Sequence, residues 1–273
     1  MASSWRDQRL WVEVFALGNI GGLTADIYLA HSMNFFRERA EYVPLVLSLA
    51  APLALIVGLW AYARRRPVLW SALGFVVGWA CVLVGLAGVM LHLESAFFQV
   101  RTLASLVYSA PFAAPLAYTG LGLLLLMNRM VAPESAEWPM WVLLLALGGY
   151  IGNFVFSVTD HAQNGFFYGS EWIGVVGGAL GIGFLLMLFV RRGTREDVAA
   201  CGVMMGLGAT IGLLGLYFHL RADLAATDAP LMSRFVYGAP VFAPLLFVDM
   251  GVLAAIGLVV RWRHLGASAV TAG

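Results

Sequence analysis

No lysine occurs anywhere in the chain, and that absence removes one function class, because a retinal-type photoreceptor needs a lysine amine for its Schiff base. Charge of either sign is scarce, at 11% of residues against about 25% in an ordinary soluble domain. With 61% apolar residues and a mean hydropathy of +0.86, the composition predicts an all-α integral membrane protein. Cysteine is nearly missing too. Cys81 and Cys201 lie inside apolar stretches at non-corresponding positions, which excludes a disulfide framework and a Cys-x-x-Cys redox or zinc motif. A net charge of +1 gives no attraction to nucleic acid. Low-complexity segments and long polar loops are absent. The first eight residues are polar and run into a full-length apolar stretch without a small-residue cleavage site, so a retained first span is expected rather than a signal peptide.

What is present is a series of apolar stretches, each about 20 residues long and so able to cross a hydrocarbon core. They run 10–30, 43–63, 68–93, 106–127, 138–158, 172–190, 198–220 and 235–262. Eight transmembrane helices are therefore expected, as a tandem repeat of two four-helix bundles, residues 1–130 and 131–273, with linker composition over 128–137. Four spans per repeat give both halves the same orientation, so a pseudo-two-fold along the membrane normal can relate them. Arginine sets the direction. Arg6, Arg9, Arg64, Arg65, Arg66, Arg129, Arg191, Arg192, Arg195, Arg261 and Arg263 collect on one side, and only Arg37, Arg39, Arg101, Arg221 and Arg234 on the other. The first side is expected to be cytoplasmic, with both termini there and the protein in the cell (inner) membrane.

The duplication is legible residue by residue. Shifted by 130, Gly18, Gly22, His31, Asn34, Phe36 and Glu41 fall on Gly148, Gly152, His161, Asn164, Phe166 and Glu171. Shifted by 127, Gly85, Gly88 and His92 fall on Gly212, Gly215 and His219; shifted by 129, the ten residues 107–116 fall on 236–245. Of the five histidines only His264 has no counterpart in the repeat, and it is expected in a solvated C-terminal tail.

All four matched histidines close odd-numbered spans, so they are expected at one level near the outer face. Neutral imidazole is a common ligand for haem iron, copper and zinc, which makes His31, His92, His161 and His219 the candidate cofactor and metal ligands. Spans one and three of a four-helix bundle sit diagonally across its core, which predicts His31 meeting His92 and His161 meeting His219. Glu41, Glu171, Asn34, Asn164, Asp160, Tyr108 and Tyr237 stand near the same level and are the candidate supporting residues, the glutamates either orienting imidazoles or capping incoming helices. Tyr108 and Tyr237 are expected to start even spans, with Pro115 and Pro244 deep enough in those helices to free a carbonyl or bend them. The paired glycines either open room for a porphyrin or simply let helices pack closely.

The functional expectation is a membrane haem- or metal-binding redox protein, with haem b in one site per repeat and electron exchange with a quinone or other electron-transfer partner. The alternatives are a membrane metalloenzyme with a His/carboxylate copper, iron or zinc centre, and a cation transporter or structural subunit of a larger membrane complex. Four isolated histidines are too few for a desaturase-type di-iron site.

Overall fold

The computed structural model describes residues 7–95, 97–107, 110–191 and 193–271, the side chains of residues 103, 106 and 268–271 excepted. Among the described residues the chain is helical and has no strand. The long helices are α1 (Gln8–Ser32), α2 (Tyr42–Ala63), α3 (Pro67–Ser95), α4 (Leu116–Met130), α5 (Glu137–Gln163), α6 (Glu171–Val190), α7 (Arg195–Ala225) and α8 (Leu245–Thr271). Short helical turns at Phe97–Val100, Leu103–Val107 and Leu231–Tyr237 sit in the connections. All the long helices except α4 are long and apolar enough to cross a membrane, which makes seven.

Packing follows the halves. In the first, α1 contacts α2 and α4, and α3 contacts α2 and α4. The second repeats this ring with α5 against α6 and α8, and α7 against α6 and α8. The halves meet through α4 on α5 and α1 on α8. Their connections also cross: the turn Leu103–Val107 packs on α5, and Leu231–Tyr237 packs on α1. One shared core runs through both halves, with Ala16, Ile20, Leu55, Cys81 and Leu125 of the first and Leu143, Ala146, Tyr150, Leu185 and Ala254 of the second, all fully buried.

Two sequence expectations need correction. The fourth and eighth helices begin later than hydropathy suggests, at Leu116 and Leu245, directly after Pro115 and Pro244. Residues 111–115 and 240–244 are instead tight turns, with Ala114 donating to the carbonyl of Pro111 and Ala243 to that of Pro240. Two prolines within five residues remove two donors from any helical ladder, and their apolar side chains hide that break from a hydropathy average. At 15 residues, α4 spans only about 22 Å of a hydrocarbon core near 30 Å. Tyr237 accordingly ends a short helix rather than starting a span, and Tyr108 lies outside the described residues. His264 is the other correction, since it lies half-buried within α8 and not in a solvated tail.

Candidate functional site

The four histidines sit within the last two turns of α1, α3, α5 and α7, at the end of the bundle opposite the arginine-bearing α2–α3 and α6–α7 turns. They come together two by two. The rings of His31 and His92 have centroids 6.3 Å apart at an interplanar angle of 70°. Those of His161 and His219 are also 6.3 Å apart, at 89°. All four are half-buried.

Each imidazole turns Nδ1 toward an acceptor. The nitrogen of His92 lies 3.0 Å from the Pro111 carbonyl, and that of His219 lies 2.9 Å from the Pro240 carbonyl. These are the same carbonyls that accept from Ala114 and Ala243, so both lone pairs are used. Backbone outside a helix leaves carbonyls for other groups to satisfy, and here a histidine does so. His31 and His161 instead face carboxylates, with Nδ1 3.6 Å from Glu41 Oε2 and 3.7 Å from Glu171 Oε2. Both oxygens are buried and have no hydrogen-bond partner, so the histidine is the group they face. The second oxygen of each glutamate accepts from an asparagine, at 2.8 Å from Asn34 Nδ2 and 3.3 Å from Asn164 Nδ2. Neither carboxylate is used as a side-chain cap, since Glu41 makes no capping bond to α2 and Ser170 precedes Glu171 at the start of α6. An imidazole whose Nδ1 donates to an acceptor presents Nε2 as its basic nitrogen. His92 and His219 are thereby set in the tautomer a metal ligand requires, and His31 and His161 turn the same nitrogen toward a carboxylate.

The loops that carry Asn34 and Asn164 are strained in the same way. Phe35 and Phe36 have φ of 63° and 51°, and Gly165 and Phe166 have φ of 69° and 54°. A left-handed phenylalanine is an outlier that persists only where its surroundings hold it. The turn lays Phe36 beside His31 (5.8 Å between centroids) and stacks it on Tyr42 (4.9 Å). Phe166 lies beside His161 (6.2 Å) and stacks on Trp172 (4.2 Å). Each strained turn so places an asparagine on the glutamate and an aromatic ring on the histidine.

The supporting residues named from sequence divide. Glu41, Glu171, Asn34 and Asn164 lie directly behind the histidines. Asp160 is half-buried and lines a cavity of about 70 Å³ with Pro111, Phe112, Phe156, Thr159 and Gln163, between the first half's outer loop and α5. Tyr237 is exposed. The glycines before His92 and His219 do not border open room. A Cβ on Gly85 would fall 2.8 Å from the Pro115 carbonyl, and one on Gly212 would fall 2.7 Å from that of Pro244, so these glycines serve close packing of α3 on α4 and α7 on α8. Around Gly18, Gly22, Gly148 and Gly152, by contrast, nothing approaches within 4 Å.

Sequence reasoning missed a second polar assembly at the opposite end of the first half. Glu13, fully buried on α1, pairs with Arg129 of α4 and accepts from Asn128 at 3.0 Å. The Arg129 guanidinium lies over Trp70, 4.2 Å from the ring centroid, and passes where Gly74 leaves no side chain in its way. An arginine and an asparagine at the end of an apolar run read as linker and interface, and no letter in the sequence marks them as buried. Corresponding positions in the second half hold Leu143, Gly257 and Leu258.

No protein family, no curated protein and no solved structure matches the chain.

Proposed function

We propose that the protein is a haem b-binding redox protein of the membrane, with two sites, each clamped by a histidine pair: His31 with His92, and His161 with His219. The observation that carries this reading is the recurrence of one ring spacing, 6.3 Å, in both halves, with Nδ1 of His92 and His219 hydrogen-bonded to a carbonyl and Nδ1 of His31 and His161 facing a carboxylate. An iron held between the two imidazoles of a pair by metal–nitrogen bonds near 2 Å would fit ring centroids roughly 6 Å apart. Two axial ligands suffice for haem. A bare copper, iron or zinc ion bound by protein alone needs three or four, and among the described residues no three His, Cys, Asp or Glu side chains gather to hold one.

Haem iron bound in this way supplies one-electron chemistry. The chain's own groups would then act in fixed roles. The four Nε2 atoms ligate; the carbonyls of Pro111 and Pro240 and the carboxylates of Glu41 and Glu171 fix tautomer and ring direction and raise ligand basicity. Phe36 and Phe166 shield one side of each pair from water. In this reading α4 and α8 complete eight spans, the halves are related by a pseudo-two-fold along the membrane normal, and the arginine-rich end with both termini faces the cytoplasm. Both sites then lie near the outer face, and a quinone or other electron-transfer partner exchanges electrons with them.

Optical spectra of the purified full chain test this directly. A Soret band with resolved visible bands on reduction, and two haems b per chain by extraction, is the expected result. A protein expressed with sufficient haem that carries none would overturn it.

A further inference from the structure

The two histidine pairs share a geometry, but their outer loops are anchored differently. In the second half, Asp223 on the last turns of α7 is 3% exposed, and its Oδ1 accepts from the backbone N–H of Ala239 at 2.9 Å. Arg234, on the short helix Leu231–Tyr237, reaches back with Nη1 to the carbonyls of Asp223 (3.0 Å), Leu224 (3.1 Å) and Ala226. Those are the carbonyls a helix end leaves without partners. The loop is therefore stitched to α7 from both directions, and Gly238 permits it, since a Cβ there would collide with Asp223 Oδ1 and with the Arg234 carbonyl. Ala239 is immediately followed by Pro240, whose carbonyl holds His219.

The first half lacks both charges at the corresponding positions. By the same offsets Asp223 falls on Ala96 and Arg234 on Ser105, and Ser105 is spent within its own turn on Thr102. We infer that Asp223 and Arg234 are positioning residues for the second histidine pair alone, fixing Pro240 and through it the orientation of His219, while among the described residues the loop beside the first pair shows no such charged stitching. A buried carboxylate held by a backbone N–H, beside a half-buried guanidinium held by three carbonyls, tolerates little displacement, because moving either strands the charge or the carbonyls. The second site is thus the rigidly held one and the first the more yielding.

This inference rests on the haem reading, and ferric electron paramagnetic resonance of the full chain separates the two. The wild type is expected to show two low-spin signals, the second assigned by its loss in His219→Ala. Asp223→Ala is expected to displace or abolish that second signal and leave the first unchanged. Arg234→Lys, which keeps the charge on a side chain one atom shorter that stops short of the three carbonyls Nη1 reaches, and Gly238→Ala should do the same to a smaller degree. Asp223→Asn keeps an oxygen for Ala239 and should restore the wild-type spectrum. A wild type without haem would defeat the functional reading and this inference with it. A haem-loaded wild type in which Asp223→Ala, Arg234→Lys and Gly238→Ala leave both signals in place, or move both equally, would overturn the inference alone.

Discussion

At the scale of single residues, each histidine is directed by an acceptor behind it, and the acceptors differ in kind. His92 and His219 lean on backbone carbonyls that no side-chain substitution removes, whereas His31 and His161 depend on Glu41 and Glu171. Glu41→Ala and Glu171→Ala are therefore predicted to weaken cofactor binding at their own site by about 10–100-fold, measured by titrating haem into the stripped protein. Unchanged affinity in both would show that the carboxylates orient nothing. Strain offers a second prediction. Phe35 holds a left-handed conformation while 84% exposed, and its counterpart is Gly165 in the same conformation. Phe35→Gly should raise stability by about 1 kcal/mol and Gly165→Phe should lower it similarly, as read from thermal melts. The histidines, asparagines and glutamates of the site were legible because polar letters recurring at a fixed offset stand out against apolar filler. Pro111 and Pro240 were not, since what they contribute is a carbonyl, and every residue has one.

At the scale of elements, the duplication provides its own mutagenesis series. The buried Glu13–Arg129 pair joins α1 to α4, and the second half builds the equivalent contact between α5 and α8 from Leu143 and Leu258, with Gly257 close against Leu143. Removing one member of a buried pair leaves an unpaired charge and costs about 3–5 kcal/mol, while replacing the whole assembly by well-packed apolar residues is near neutral. Glu13→Ala or Arg129→Ala should each destabilise the protein by that amount. The triple change Glu13→Leu, Asn128→Gly, Arg129→Leu, which installs the second half's solution, should return most of it, as followed by denaturation in detergent. A triple variant as unstable as the single ones would mean that the polar assembly does more than join two helices. Element boundaries were less legible than element existence. Hydropathy runs unbroken through residues 106–115 and 235–244, so it cannot register that prolines there withhold hydrogen-bond donors and that the helices start only at Leu116 and Leu245.

At the scale of the whole molecule, each half packs its four long helices against one another, and the connections cross from each half onto the other. That crossing could not be read from sequence, because it depends on where short helices of five and seven residues dock and not on their composition. The central claim is that each half holds one cofactor between its own two histidines, and haem stoichiometry in histidine variants tests it most directly. His92→Ala and His219→Ala should each retain about one haem b per chain, and the double variant should retain none while remaining a monodisperse, helical protein in detergent. A double variant with the wild-type haem content and spectrum would contradict the account.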